Sequence, residues 1–193
     1  MMLKKIVLAG ILGGAALFAW ESVAHMATGL GEAGVRALPH EAAIQAAIKE
    51  NVADPGFYLF PAPEDKPGMT GDQRSKAMEA SFQRARTEPS GIMVVYPQGR
   101  IYELGTLLSV QFAGDVLAIL IAAFLLSKAV SLKGYLPRAM FVGLMGLLPA
   151  LQVDIPQWNW YGFPTVFTAA QFVVHLVGFI LAGLVVAKIV REV

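Results

Sequence analysis

Two ionisable side chains lie within long apolar stretches of the sequence, where a charge is costly. Asp115 falls about nine residues into the stretch 106–127, and His175 falls about ten residues into the stretch 165–187. Ionisable residues inside a membrane-spanning segment often mark an ion or proton site. If the two side chains meet, a carboxylate and an imidazole could share a proton, form an ion pair, bind a quinone head group or ligate a metal with outside help.

A glutamine precedes each of these residues by one helical turn. Gln111 is four residues before Asp115 and Gln171 is four before His175, so each glutamine shares a helix face with the group that follows it. We therefore expect the two stretches to form neighbouring helices, with the glutamines at one level and Asp115 opposite His175 at the next. The alternative is purely structural, because polar side chains often join helices in membranes at about 1 kcal/mol or less per contact.

A second group of candidate residues follows the third apolar stretch. The sequence DIPQWNWYGFP, residues 154–164, is predicted to be a tight loop. Tryptophan and tyrosine are enriched at membrane interfaces, so Trp158, Trp160 and Tyr161 are expected there. Asp154 is interpreted as the charge that ends the span; alternatively, it contacts a lipid head group or a substrate at the outer face.

Other kinds of site find little support in the sequence. Cysteine is absent, which excludes disulfides, zinc–thiolate sites, iron–sulfur clusters and covalent c-type haem attachment in this chain. The histidines, His25, His40 and His175, are expected at different depths, so neither a metal nor another cofactor is predicted. The sequence has no GxSxG, HExxH or Walker A motif, and no basic tract indicates nucleic-acid binding. A non-enzymatic protein is favoured.

Composition and segment lengths predict an integral membrane protein. The 193-residue chain is 56% hydrophobic and 15% charged, whereas soluble domains carry about 25% charged residues. About 20 apolar residues can cross a bilayer as a helix, and the candidate stretches are residues 6–20, 106–127, 139–153 and 165–187. The predicted fold class is an all-α membrane protein, a four-transmembrane-helix bundle with a small α/β extracytoplasmic insertion between helices 1 and 2.

Charged residues are concentrated between the first two spans, and this contrast defines three regions. We expect an N-terminal transmembrane anchor at 1–27, an extracytoplasmic module at 28–104 and a three-helix transmembrane region at 105–193. An alternative for the first region is a signal peptide cleaved near Ser22-Val23-Ala24, although the uncleaved anchor is favoured. Turn residues divide the module into a helix, a strand, a helix and a strand, at about 38–51, 57–60, 72–86 and 92–96.

The positions of basic residues predict the orientation. Lysine and arginine are enriched in the cytoplasmic loops of membrane proteins. With four spans, the basic residues that flank them fall on one side: Lys4, Lys5, Lys128, Lys133, Arg138, Lys188 and Arg191. Both termini are therefore expected in the cytoplasm, with residues 28–104 periplasmic or extracellular. Pairs of small residues four apart indicate close helix packing, namely Gly10/Gly14, Ala139/Gly143 and Gly178/Ala182.

Three short motifs resemble those of a family of small bacterial inner-membrane proteins with no established activity. The matching segments are Leu38-Pro39-His40, PGFYLFP at residues 55–61 and WNWYGF at residues 158–163. The usual pattern of that family is LPWH, then SGxYxxP, then WNWWGF near a last span. This chain lacks the tryptophan before His40 and has Tyr161 within the aromatic motif. The resemblance implies the same architecture and a bacterial inner membrane, and it implies no mechanism.

Three functions fit these observations. The first is a non-enzymatic accessory or scaffold subunit of a larger membrane complex, in contact with lipids and other membrane subunits and not with nucleic acid. The second is a small transporter-like or redox-accessory protein that uses the level of Asp115 and His175 for protons or a quinone. The third is a membrane enzyme that acts on lipid at the outer face, near Asp154 and Trp158.

Overall fold

The computed structural model describes residues 2–190 and is 69% helical. Four helices are long and apolar enough to cross a membrane, namely α1 Met2–Met26, α4 Leu104–Lys128, α5 Tyr135–Tyr161 and α6 Thr165–Ile189. Two shorter helices and two strands lie between α1 and α4 in the chain: α2 Glu41–Asn51, β1 Gly56–Phe60, α3 Gly71–Arg84 and β2 Gly91–Val95. The prediction of a mostly helical chain with four such helices and a small sheet is confirmed at this level, and the helices fit a membrane protein.

The chain forms two compact units. Ala37–Ile101 is one unit, and the rest of the described chain, with all four long helices, is the other. Within the first unit β1 pairs antiparallel with β2, from Gly56 opposite Val95 to Phe60 opposite Gly91. The predicted order of helix, strand, helix and strand is confirmed.

The unit Ala37–Ile101 has almost no interior. Ser81 and Val95 are its only buried residues, while Phe82 is 53% exposed and Val94 is 64% exposed. A two-stranded sheet with so little covered apolar surface is marginally stable by itself.

In the helical unit, α1 packs against both α4 and α6. A Cβ atom on Gly14 would lie 2.6 Å from the Cα of Val116 in α4, and one on Gly13 would lie 3.0 Å from a methyl group of Val186 in α6. Glycine permits this approach because it has no side chain. The predicted close packing at the Gly10/Gly14 pair is confirmed.

Helix α6 packs against α5 through a second set of small residues. A Cβ atom on Gly143 would lie 2.9 Å from the Cγ1 of Ile180, and one on Gly146 would lie 2.6 Å from the backbone oxygen of His175. Helix α6 therefore lies against α1 on one side and against α5 on another.

This packing corrects the prediction that the second and fourth spans are neighbours. Among the described residues, α4 and α6 do not form a packed pair, because each of them packs on α1 instead. The prediction rested on matching polar faces of α4 and α6. The glycines of α1, which let both helices approach it closely, decide the arrangement.

Helix α5 is longer than predicted and irregular in its middle. It continues to Tyr161, so most of the segment expected as a tight loop is helical. A 3-10 turn at Leu144–Gly146 and a π turn at Ala150–Asp154 interrupt the α-helical pattern. Pro149, which has no backbone N–H to donate, precedes the π turn and accounts for the change of hydrogen bonding there. Gly162, at φ 70°, ends the helix.

Arg138 was predicted to lie in the connection before the third span. It lies instead in the first turns of α5, where it is 5% exposed. Its Nη2 donates to the backbone oxygen of Val190 at 2.7 Å, and its Nη1 donates to that of Leu132 at 3.2 Å. The last carbonyl groups of a helix have no partner within it. Arg138 therefore joins the end of α6 to the start of α5.

Candidate functional site

An aspartate and a histidine from different helices meet at the contact between α5 and α6. The Nε2 of His175 lies 3.4 Å from the Oδ2 of Asp154. The Asp154 side chain is 6% exposed and the His175 side chain is 25% exposed. No hydrogen-bond donor of the described chain reaches Oδ2 with good geometry. The distance is longer than the 2.7–2.9 Å typical of a charge-assisted hydrogen bond, so a small movement of either helix would tighten or open the contact.

The irregular middle of α5 places Asp154 toward α6. Asp154 is the last residue of the π turn Ala150–Asp154, and π turns inside α-helices occur frequently at functional sites. Eight residues earlier, Gly146 lies against the backbone of His175 and keeps the two helices close. The sequence therefore brings these side chains together through a proline-associated π turn and a glycine contact.

A second polar group joins α1 to α4. The Nε2 of Gln111 donates to the Oε2 of Glu21 and to the Oδ1 of Asp115, each at 2.9 Å. A glutamine amide has two N–H groups, so one can serve each carboxyl. Asp115 is 5% exposed, and its Oδ2 is buried without a hydrogen-bond partner among the described residues.

Glu21 connects the two polar groups electrostatically. It interacts through space with His175 and His25, and Asp115 interacts with Glu21. Its neighbour Trp20 donates from Nε1 to the backbone oxygen of Val174 at 2.9 Å, which ties α1 to α6 beside His175. All four long helices thus contribute an ionisable side chain to one region of the bundle.

This region lies in one half of the bundle, toward the end where α1 ends and α4 begins, here called the insertion end. The other half is filled by buried apolar residues of α1, α4, α5 and α6, among them Ile6, Ile119, Ala122, Leu126, Val142 and Val186. The buried acids and the histidine are therefore grouped toward the insertion end, and an apolar core separates them from the buried Arg138 at the opposite end.

The expected pair of Asp115 and His175 is not formed. Asp115 bonds to Gln111 of its own helix, and His175 lies against Asp154. Gln171 is half-buried, and its side chain forms no hydrogen bond with another side chain or with the backbone among residues 2–190. The physical reason is the position of α1, which carries Glu21 into the place where the sequence predicted a direct contact between α4 and α6.

Sequence reasoning missed Glu21, and it named Asp154 as a candidate but in different surroundings. Asp154 was interpreted as the charge that ends the third span, but α5 continues to Tyr161; Glu21 lies within α1, which continues to Met26. Asp154 is buried and is thus not an exposed acid at an outer face. A signal was present in each case, since Val23 and Ala24 extend the first apolar stretch and the second residue after Asp154 is a proline, which a first helical turn tolerates.

The aromatic residues predicted for an interfacial loop occupy the last turns of α5. The Nε1 of Trp158 donates to the Oγ1 of Thr165 at 3.1 Å, which connects the end of α5 to the start of α6. Trp160 is 73% exposed and Tyr161 is 43% exposed. Aromatic side chains at the end of an apolar helix are typical of the boundary between lipid and water.

Comparison of the chain with protein-family models, with curated proteins and with solved structures finds no match. The residues that carry the motif resemblance belong to separate elements: His40 is the N-cap of α2, Gly56–Phe60 is β1, and residues 158–163 cover the end of α5. Within the helical unit, the polar region described above does not include residues 158–163.

Proposed function

We propose that this chain is a proton-binding protein of the bacterial inner membrane, in which Asp154 and His175 hold and release a proton within the bilayer. The observation that supports it best is the 3.4 Å contact of the two side chains between α5 and α6. Ionisable groups at membrane depth are rare and usually serve ion or proton pathways.

The chemistry follows from the pairing of an acid with a base. Asp154 and His175 can share one proton with no net charge, either as carboxylate and imidazolium or as carboxylic acid and imidazole. A low-dielectric interior favours such neutral combinations over a single uncompensated charge. The two nitrogens of an imidazole can exchange a proton on one side for a proton on the other, so His175 can connect Asp154 with the region near Glu21.

The segregation of polar groups supports binding from one side. Among residues 2–190, the buried polar side chain of the opposite half is that of Arg138, which is bonded to backbone oxygens at the far end, and the apolar core lies between it and the pair. A proton that reaches the pair would therefore leave again by the insertion end, unless the helices rearrange. This favours a proton-coupled transporter-like or redox-accessory role over an open proton channel.

The orientation is part of the proposal. We place both termini in the cytoplasm and residues 28–104 outside it, because the basic residues that flank the spans then lie on the cytoplasmic side. The insertion end would then face the periplasm or the exterior, and protons would reach Asp154 and His175 from there.

Infrared difference spectroscopy of the protein reconstituted in lipid, recorded between about pH 5 and 8, tests the proposal because imidazole pairs titrate in that range. The wild-type protein should show a carbonyl band from the protonated carboxyl group of Asp154, distinct from any band of Glu21 or Asp115, and Asp154→Asn should abolish that component. His175→Gln should shift its pH dependence. Asp72→Asn, which removes an exposed carboxyl from the first turn of α3, is the control and should leave the band in place. A band that is unchanged in Asp154→Asn would refute the proposal.

A second candidate function is an accessory or scaffold subunit of a larger membrane complex. The observation that favours it is the unit Ala37–Ile101, which buries only Ser81 and Val95 and so has apolar surface to offer to a partner. Purification in mild detergent should recover a fixed partner with the wild-type chain. A Phe82→Ser and Val94→Thr double variant should lose that partner while Asp154→Asn keeps it, and equal recovery with all three chains would exclude this role for the surface.

The third function, an enzyme that acts on lipid at the outer face, is not proposed. It required Asp154 as an exposed acid near Trp158, whereas Asp154 is buried against His175.

A further inference from the structure

We infer that Glu21, Gln111 and Asp115 form a binding site for a small monovalent cation, separate from the Asp154 and His175 pair. The site lies at the contact between α1 and α4. His175 acts on Glu21, but the cation would bind at the contact between α1 and α4, so this inference can fail while the proton proposal stands.

The geometry leaves carboxylate oxygens available to a ligand. Gln111 donates one N–H to Oε2 of Glu21 and one to Oδ1 of Asp115, which leaves the second oxygen of each carboxyl outside these bonds. In Asp115 that oxygen, Oδ2, is buried and has no partner among the described residues, and the residue is 95% buried, since its exposed fraction is 5%. A buried polar atom without a partner costs about 1–3 kcal/mol, so a bound ligand would remove a real penalty.

The negative charges of the two carboxyl groups favour the binding of a cation. Two carboxyl groups interact with each other there, and the charged or titratable groups that face them are His175 from α6 and His25 from α1, which act on Glu21. No lysine or arginine of residues 2–190 forms an ion pair with Glu21 or Asp115 within 4.0 Å. Uncompensated charge in an apolar interior is strongly unfavourable.

We assign a monovalent ion to the site rather than a divalent one. One proton and one monovalent cation would bring the two carboxyl groups to neutrality while keeping an oxygen of each for the cation. Zinc and calcium usually take three or more protein ligands, and no group of three acidic or histidine side chains suited to a metal occurs among residues 2–190.

Two features suit the site to a small ion. Glu21 is half-buried, so a hydrated ion can reach it, whereas Asp115 is buried. Phe18 and Phe112 pack edge to face with ring centroids 5.5 Å apart, across the same contact between α1 and α4.

Thermal unfolding of the purified full chain in detergent tests the inference. Tryptophan fluorescence would be followed in sodium chloride, in potassium chloride and in N-methyl-D-glucamine chloride, at one pH and one ionic strength. Sodium or potassium should raise the unfolding temperature in a saturable manner relative to the bulky organic cation. The concentration for half-saturation should increase at least tenfold in Asp115→Asn and in Gln111→Leu.

Gln171→Leu is the matched control, because Gln171 also precedes an ionisable residue by one turn but lies outside the site, and it should keep the wild-type cation response. Glu21→Gln gives a second test if Asp115→Asn does not fold. Identical unfolding temperatures of the wild-type chain in the three salts would overturn the inference. So would a cation response that Asp115→Asn or Glu21→Gln leaves intact.

Discussion

The Oδ2 of Asp154 lies 3.4 Å from the Nε2 of His175, across the contact between α5 and α6. Both residues belong to helices of membrane-spanning length, and Asp154 is brought to this position by a π turn. Because this acid and this base are in contact, the effect of substituting one of them should depend on whether the other is present, and this can be measured.

We predict an energetic coupling between Asp154 and His175. Asp154→Asn and His175→Gln should each lower the free energy of unfolding. The double variant should lower it by less than the sum of the two single effects, with a coupling energy of about 0.5–3 kcal/mol, because the effects of substituting two residues in direct contact are not additive. Unfolding in mixed detergent micelles gives the three free energies. The matched cycle of Asp115→Asn with His175→Gln should be additive to within about 0.5 kcal/mol. Additive effects for Asp154 with His175, together with coupling of Asp115 to His175, would instead favour the pair of Asp115 and His175 expected from the sequence.

Gly146 should be essential for that contact. A Cβ atom at this position would lie 2.6 Å from the backbone oxygen of His175, so Gly146→Ala should force α5 and α6 apart. Overpacking of this kind typically costs about 1–3 kcal/mol. Gly114→Ala in α4, where no atom lies within 4 Å of the added Cβ, is the control and should change the unfolding free energy little. Equal effects of the two substitutions would mean that close helix approach at Gly146 is unimportant.

Arg138 should stabilise the end of the bundle opposite the polar region. Its guanidinium group donates to the backbone oxygens of Val190 and Leu132, and hydrogen bonds to charged groups contribute about 1.5–3 kcal/mol each. Arg138→Met should lower the unfolding free energy by about that amount, and Arg138→Lys should recover part of it. Lys133→Met, at an exposed position in the connection just before α5, should have little effect. An unfolding free energy that Arg138→Met leaves unchanged would contradict the role of Arg138 as a connection between α5 and α6.

Labelling of single cysteines tests the proposed orientation without any background, since the chain has no cysteine of its own. Ser90 lies in the unit Ala37–Ile101 and Ser131 lies between α4 and α5, and both are exposed. A membrane-impermeant maleimide that can reach the periplasm should label Ser90→Cys in spheroplasts and should label Ser131→Cys only after the membrane is opened. The opposite pattern would invert the proposed topology.

The long helices could be predicted from the sequence because they depend on local composition. Hydrophobic length gave the four segments, and turn residues gave the order of helices and strands between the first two. The end of α5 was placed too early, because Asp154 and two prolines look like a loop when the buried partner of the aspartate is not known. A charge in an apolar context ends a helix only if nothing within the protein compensates it.

The membership of the polar region could be predicted only in part. Asp115, Gln111 and His175 stand out because each interrupts an apolar stretch. Their partners depend on which helices touch, and that depends on the close approach permitted by Gly13 and Gly14 in α1. Which helices touch is a long-range property of the fold. Periodicity within each helix could therefore identify the polar faces of α4 and α6, but it could not show that Glu21 lies beside the face of α4 and Asp154 beside the face of α6.

Nitrogen NMR of His175 tests the central claim most directly. The protein would be labelled with ¹⁵N-histidine and reconstituted in lipid, and the His175 signals would be assigned by their loss in His175→Gln. If Asp154 and His175 share a proton, the shift of Nε2 and its dependence on pH should change in Asp154→Asn and remain as in the wild type in Gln171→Leu. His175 signals that are identical in wild type and Asp154→Asn across the titration would contradict the account.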